Sequence, residues 1–336
     1  MLRVAINGFG RIGRCLVRAL YERHLEGHIE LVAINDPVDP HMLAHLLRHD
    51  STHGHFHVPV ELKDSQLRIG SQSVTLLAEK QASALPWKDL DIDLVLECSG
   101  RMKTADQLRD HLTAGADRVL ASYPVEGAEL TVVYGVNHQQ LKAEHRLISN
   151  ASCTTNCLAP IIKVLDDNFG VVSAQMTTIH AYTNDQNLID KAHGDLYRAR
   201  AAAVNLIPTR TGAAQAVALV LPHLAGRLDG MAVRVPTLNV SMVDLHCVLE
   251  QNTDVEAINQ AMTDAAEDQL SGVLSVNRLP LVSSDFNHNP YSSVFDATQT
   301  RIVGNQIKII SWYDNEWGFT NRMLDMALKV SALGKI

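Results

Sequence analysis

Leu2-Arg3-Val4-Ala5-Ile6-Asn7-Gly8-Phe9-Gly10-Arg11-Ile12-Gly13 is the stretch that decides the fold. Its first six residues read as a short buried strand, and Gly8 to Gly13 match G-x-G-x-x-G immediately after it. The following pattern, Arg11 to Glu22, reads as a helix burying Ile12, Cys15, Leu16, Ala19 and Leu20, and Ile29 to Asn35 as the next strand. The glycines permit the turn, let the backbone approach a pyrophosphate, and let helix and strand pack closely. Asp36 ends the second strand 23 residues after Gly13, where a ribose-binding carboxylate belongs. A carboxylate there accepts from a 2′-hydroxyl and repels a 2′-phosphate, so the pattern predicts NAD rather than NADP.

Further short apolar runs at Asp93 to Cys98, Arg118 to Ala121 and Thr131 to Val136 extend this βαβ unit into a doubly wound parallel sheet. A helix opening at Cys153 should end by Gly170, and the character then changes to longer alternating segments. Ser241 to Leu249 places Val243, Leu245, Cys247 and Leu249 on one face, as a half-exposed antiparallel strand does. Gly318 to Leu333 carries Met323, Leu324, Ala327, Leu328 and Val330 at helical spacing and is expected to return to the first domain. The expected class is α/β: a Rossmann domain over 1–151 and 317–336, and an α+β catalytic domain over 152–316 with a mostly antiparallel sheet.

The 336 residues, 46% apolar, suffice for two domains without disulfides. Five widely spread cysteines suit a reducing compartment. With Met1 running directly into a strand and no apolar run near the length of about 18 residues that a membrane span needs, the chain is expected to be cytoplasmic. A formal net charge of -8 argues against nucleic acid as the main partner.

Cys153 sits in Ile148-Ser149-Asn150-Ala151-Ser152-Cys153-Thr154-Thr155-Asn156-Cys157, where a strand ends, small polar residues turn and a helix begins. A thiol at a helix N-terminus feels the positive end of the backbone dipole, which favours the thiolate. His180 closes the strand Gln175 to His180 and can pair with such a thiol as a proton carrier. Thr183, Asp185, Arg198, Thr211, Gly212 and Arg234 follow, and arginines with hydroxyls are the natural partners of phosphate oxygens.

These residues resemble the glyceraldehyde-3-phosphate dehydrogenase family, and the resemblance spans essentially the whole chain. Ala5 to Arg14, Ser149 to Cys157, His180-Ala181-Tyr182-Thr183, Arg200-Ala201-Ala202-Ala203 and Trp312 to Gly318 look like that family's signatures. The resemblance implies a nucleophile in Cys153 and a base in His180, with inorganic phosphate attacking a thioester. It implies a site for the substrate's own phosphate at Thr183 and Arg234. Ser152, Thr154, Thr211 and Gly212 match the inorganic phosphate site, and Arg198 could serve either. Asn315 matches the residue holding the nicotinamide carboxamide, while Arg11, Ile12 and Ser122 match other NAD contacts. A homotetramer is implied too, through a loop at roughly 182–206 that reaches a neighbouring subunit.

Some positions depart from the pattern. Asn184 stands where the family often has glycine, Tyr197 where it often has arginine, and Thr209-Arg210 precede Thr211 in place of small hydroxyl residues. Phe286 to Pro290 and Thr298-Gln299-Thr300 look more like the related erythrose-4-phosphate dehydrogenases, whereas His180 to Thr183 and Thr211 to Ala214 look like the triose-phosphate enzymes. The triose is the first choice and the tetrose the alternative, with an NAD-binding scaffold that has lost its chemistry as a third reading. Elsewhere, His41, His45, His49 and His53 fall four apart as a helical metal face would. Asp50, Ser51 and Gly54 break the helix before the series ends, so no metal is expected. Cys157 reads as a small packed residue, and the arginines near 198–210 as partners of a small anion rather than of nucleic acid.

Overall fold

The computed structural model describes residues 1–335. It divides into two compact units, the first made of Met1–Val132, His138–Ala151 and the chain from Thr320 onward, the second of Val133–Asn137 and Ser152–Phe319.

Unit 1 is built on a parallel sheet. Its strands run in the order Leu130–Thr131, Leu147–Ser149, Arg118–Ala121, Leu94–Glu97, β1 (Leu2–Asn7), β2 (Ile29–Asn35) and Gln72–Leu77. Two antiparallel strands, Gln66–Ile69 and Val60–Lys63, extend the last edge. Leu94–Glu97 and Arg118–Ala121 are buried at every position, which explains why these strands read as continuous rather than alternating runs. β1 pairs with β2 on one side and with Leu94–Glu97 on the other, so the strand order reverses there. At such a switch point the loops leave the strand ends in opposite directions and open a crevice.

Helices α1 (Arg11–Glu22), α2 (Pro40–Arg48) and α3 (Ala105–Thr113) follow in this unit. Each starts for a local reason. Gly10 lets the chain enter α1 without a side chain, Asp39 Oδ1 accepts the N–H groups of His41 and Met42 at the head of α2, and Thr104 with Gln107 makes a capping box for α3. Arg18, 1% exposed, donates to the carbonyls of Leu47 and Gly54 at 2.8 and 3.0 Å, tying α1 to the end of α2 and the turn beyond.

One expectation needs correction here. Of the run Thr131 to Val136, only Thr131 is in a strand. The Asn137 side chain takes the Val133 N–H at 2.8 Å and Gly135 adopts φ 88°, so the chain leaves the ladder in a turn. The helix ends before the histidine series does, as read: α2 stops at Arg48, and His49 pairs across a short hairpin with His55, so the rings of His45, His49 and His55 are neighbours.

Unit 2 carries α4 (Cys153–Phe169), α5 (Ala213–Val220) and α6 (Val255–Glu267) over a mixed sheet. Its strand order is Ile207–Arg210, Leu228–Val235, Val171–Ala181, Ser241–Leu249, Gln306–Tyr313, Ser293–Asp296 and Leu274–Asn277, with Arg301–Val303 beside Gln306–Tyr313. The pairings are antiparallel except Val171–Ala181 with Leu228–Val235 and Leu274–Asn277 with Ser293–Asp296. Alternation in Ser241–Leu249 is as read, with Val243, Leu245, Cys247 and Leu249 buried. α4 tolerates Pro160 in its interior, a change that costs about 3 kcal/mol in an isolated helix. Leu158, Ile161, Ile162 and Leu165 are wholly buried, and at about 1.5–3 kcal/mol for each such side chain their burial outweighs it.

α7 (Trp317–Leu333) begins in unit 2 and runs on into unit 1. Within unit 1, Arg23, the residue after α1, binds Asp325 at 2.7 Å and the Asn321 carbonyl at 3.1 Å.

Candidate active site

In unit 1 the glycine turn is fixed by contact. A Cβ on Gly8 would collide with the backbone of Ser99, and one on Gly13 with the Gly8 carbonyl, whereas one on Gly10 would meet nothing. That open face lies at the N-terminus of α1, which has no side-chain cap and no acidic residue in its first turn. Such a helix end accepts an anion. Asp36 stands beside it, its carboxylate taking the N–H groups of Phe9 at 2.8 Å and Val38 at 3.0 Å. A cavity of about 330 Å³ opens among Asn7, Gly8, Gly10, Asp36, Ser99 and Met102. A dinucleotide fits this donor set: backbone N–H for pyrophosphate and a carboxylate for the ribose diol.

The other cofactor candidates of this unit are placed less uniformly. Ile12 lies in the first turn of α1, and Ser122 follows the strand Arg118–Ala121, its N–H on the Glu97 carbonyl at 2.9 Å. The guanidinium of Arg11 is paired with Asp50. Burial opposes ionisation of Asp50, but Arg11 and the N–H groups of His53 and Thr52 hold its carboxyl well below the usual range.

In unit 2, Cys153 is the first residue of α4. The chain reaches it through Ala151, whose φ of 55° makes the sharp turn out of Leu147–Ser149, and through Ser152, whose hydroxyl accepts the Thr155 N–H at 3.1 Å as the helix cap. His180, near the end of Val171–Ala181, brings Nε2 to 3.6 Å from Cys153 Sγ. Its Nδ1 lies 2.6 Å from Arg234 Nη1 and 2.7 Å from the Ala181 oxygen, and Arg234 also donates to that oxygen at 2.8 Å. Arg234 can only donate and the Ala181 oxygen can only accept, so the two contacts at Nδ1 call for opposite protonation of that nitrogen, and only a ring protonated on Nδ1 presents the Nε2 lone pair to the sulfur.

Burial, then the charge of Arg234, pushes His180 down to about 3. Burial also pushes the Cys153 thiol up, against the pull of Arg234 and of Thr154. Burial thus works against the thiolate expected from the helix end, and against an imidazolium beside it.

The phosphate candidates form a linked set. Thr183 donates its N–H to Gln186, Gln186 donates to Asp185, and Asp185 binds Arg198 at 2.5 Å. Arg198 reaches Thr209 Oγ1 at 2.8 Å and the Arg210 carbonyl at 3.3 Å, next to Thr211. Thr211 Oγ1 accepts the Ala213 N–H, and Gly212 caps α5 with no side chain. Thr155 Oγ1 donates to the Ala213 oxygen at 3.4 Å, which sets this α5 entry beside the head of α4.

Asn315 joins the same unit. Ser241 takes the Ala181 N–H and donates to Asn315 Oδ1 at 3.0 Å, so the amide is oriented from the His180 strand. Tyr313 escaped sequence reasoning. Its hydroxyl is 2.8 Å from both Thr154 and Thr178, and its ring meets His180 edge-on at 6.0 Å. It lies inside the Trp312–Gly318 signature, which was the signal available.

Comparison with known proteins matches residues 2–105 to the model described as "Glyceraldehyde 3-phosphate dehydrogenase, NAD binding domain" and residues 152–315 to the family's C-terminal domain. The chain belongs to the glyceraldehyde-3-phosphate dehydrogenase family. It is 54% identical to the glyceraldehyde-3-phosphate dehydrogenase of Pseudomonas aeruginosa over 98% of each chain, and 53% identical to that of Xanthobacter flavus over 99% of each. A relative of the same name from Cereibacter sphaeroides is 52% identical over 99% of both chains. The glyceraldehyde-3-phosphate dehydrogenase family thus accounts for both units, the parallel sheet falling largely in its NAD binding domain model.

Proposed function

We propose that this chain oxidises glyceraldehyde 3-phosphate to 1,3-bisphosphoglycerate with NAD and inorganic phosphate, through a thioester on Cys153. The observation that carries the reading is the approach of Cys153 Sγ to His180 Nε2 at 3.6 Å with Arg234 on the far nitrogen of the ring.

Arg234 is the pivot. When it turns to the substrate's phosphate, with Thr183, it leaves the Nδ1–H of His180 hydrogen-bonded to the Ala181 oxygen alone. The Nε2 lone pair now faces Cys153 and takes the thiol proton. The thiolate attacks the aldehyde carbon and the imidazolium returns the proton to the oxygen, giving a hemithioacetal. His180 then removes the hydroxyl proton as the C–H bond breaks with its electron pair. NAD, when bound, takes up that hydride. The product is a thioester on Cys153. Phosphate held by Ser152, Thr154, Thr211 and Gly212, with Arg198 beside them, attacks the thioester carbon, and the C–S bond breaks with its electrons returning to sulfur. Gly8, Gly10, Arg11, Ile12, Gly13, Asp36 and Ser122 would hold NAD in unit 1, and Asn315 would orient its carboxamide.

On this reading 1–151 and 317–336 serve the cofactor, and 152–316 the chemistry. The segment 182–206 covers a second copy in a homotetramer. Supporting this, Leu188 and Leu196 are 85% and 86% exposed in the single chain. Five free cysteines fit a reducing cytoplasm, and among the described residues no helix is long and apolar enough to cross a membrane.

The test is NADH formation from glyceraldehyde 3-phosphate and from erythrose 4-phosphate, each with and without phosphate. Phosphate-dependent turnover with higher kcat/KM for the triose is expected. Steady phosphate-independent turnover, or preference for the tetrose, points to the alternative in which water attacks the thioester. The Phe286–Pro290 and Thr298–Thr300 segments keep that alternative open.

A further inference from the structure

Behind the cofactor crevice of unit 1 lies a buried carboxylate that the chemistry above does not use. Glu97 ends the strand Leu94–Glu97 and is wholly buried, yet it faces no lysine or arginine among its hydrogen-bond partners. Five donors converge on it. Oε2 is 2.5 Å from Asn7 Nδ2 and 2.9 Å from His111 Nε2. Oε1 accepts the Ser99 N–H at 2.7 Å, the Ser99 hydroxyl at 2.5 Å and the Tyr123 hydroxyl at 3.1 Å.

The tautomer of His111 follows from its other nitrogen. Trp87 Nε1 lies 3.0 Å from His111 Nδ1, and an indole N–H can only donate. Nδ1 therefore accepts, and Nε2 carries the proton that goes to Glu97. Burial would protonate the carboxyl, but these donors outweigh it and hold Glu97 below its ordinary range.

Apart from His111, which lies in α3, the donors come from three adjacent strand ends at the switch point. Asn7 immediately precedes Gly8, Ser99 faces the space a Cβ on Gly8 would occupy, and Tyr123 follows Ser122. Asn7 also accepts from Asn35 at 2.7 Å, next to Asp36. We propose that Glu97, set by the Trp87–His111 pair, is the positioning residue that holds the strand ends carrying Gly8, Ser99, Ser122 and Asp36 at the spacing NAD requires. It touches no part of the cofactor itself and acts through the residues that do.

The inference rests on the NAD reading and predicts a specific chemical sensitivity. Replacing Glu97 by glutamine keeps the shape but supplies an amide NH₂ on one side. In one orientation that group faces Asn7 Nδ2 and His111 Nε2–H, and in the other it faces the Ser99 N–H, so a donor meets a donor either way.

The experiment is equilibrium binding of NAD and NADH to the full chain, followed by calorimetry and by NADH fluorescence, with cysteine alkylation as a check on unit 2. Glu97→Gln should raise the Kd for NADH at least tenfold while Cys153 still alkylates at the unsubstituted rate. An unchanged Kd in folded Glu97→Gln overturns the proposal, as does a Kd that rises only together with a fall in the Cys153 alkylation rate. If Glu97→Gln does not fold, Tyr123→Phe decides: it removes one donor without creating a clash and should raise the Kd two- to fivefold, and an unchanged Kd overturns the proposal. Failure of the unsubstituted chain to bind NADH would instead refute the cofactor reading.

Discussion

Removing one oxygen atom from Tyr313 tests whether the floor under the thiol is held as the structure shows. In Tyr313→Phe the ring stays against His180, but Thr154 and Thr178 each lose a hydroxyl partner at 2.8 Å. Both threonines are buried, at 4% and 1% exposure, so water does not replace it. A buried neutral hydrogen bond is worth about 1 kcal/mol net, so two give a loss of about 2 kcal/mol. For a unit of this size, 1 kcal/mol shifts the melting midpoint by roughly 2–4 °C, which predicts a fall of about 4–8 °C. Differential scanning calorimetry of Tyr313→Phe, Thr178→Val and the double variant measures it. The double should cost less than the sum by about 1 kcal/mol, because the two share one bond. A midpoint within 1 °C of the unsubstituted chain, or full additivity, would refute the claim that this hydroxyl supports the head of α4.

Cys153→Ser should abolish turnover while NADH binding, read by fluorescence, stays within twofold, because a serine hydroxyl is the poorer nucleophile in the same position. Asp36→Ala should weaken NAD at least tenfold and narrow its advantage over NADP, measured as the ratio of the two kcat/KM values. The pH dependence of stability has a definite sign. His180 is neutral when folded and its pKa is pushed down to about 3, below the value of about 6.5 of a free imidazole. Its contribution is therefore complete above about pH 6.5 and is lost as pH falls toward 3. Denaturation series across that window should show His180→Gln flattening the slope, and an unchanged slope would contradict the neutral assignment.

How far the sequence carried the fold differs between segments for physical reasons. β1, α1 and β2 were legible to the residue, since an apolar run, a glycine turn and a helical period all pointed the same way. The run after Leu130 was not, because one side chain, Asn137, captures a backbone N–H and diverts the chain. The site divides similarly. Cys153, His180 and Arg234 are brought into contact as the pattern implied, from an element start and two strand ends. Their charge states were beyond local reasoning: a helix dipole argues for a thiolate, while burial works against the charged form of both groups, and only packing reveals the second. Tyr313 stayed hidden because its partners lie more than a hundred residues away, and Glu97 because Asn7 and Tyr123, which link it to the neighbouring strands, lie 90 and 26 residues away.

The central claim is a thioester on Cys153 that waits for phosphate. Intact-mass and peptide spectrometry of the chain mixed with glyceraldehyde 3-phosphate and excess NAD in phosphate-free buffer tests it directly. An acyl adduct should accumulate on the Cys153 peptide within one turnover and vanish on addition of phosphate, with an equivalent of acyl phosphate released. Absence of the adduct under conditions where NADH forms, or an adduct whose decay ignores phosphate, would contradict the account.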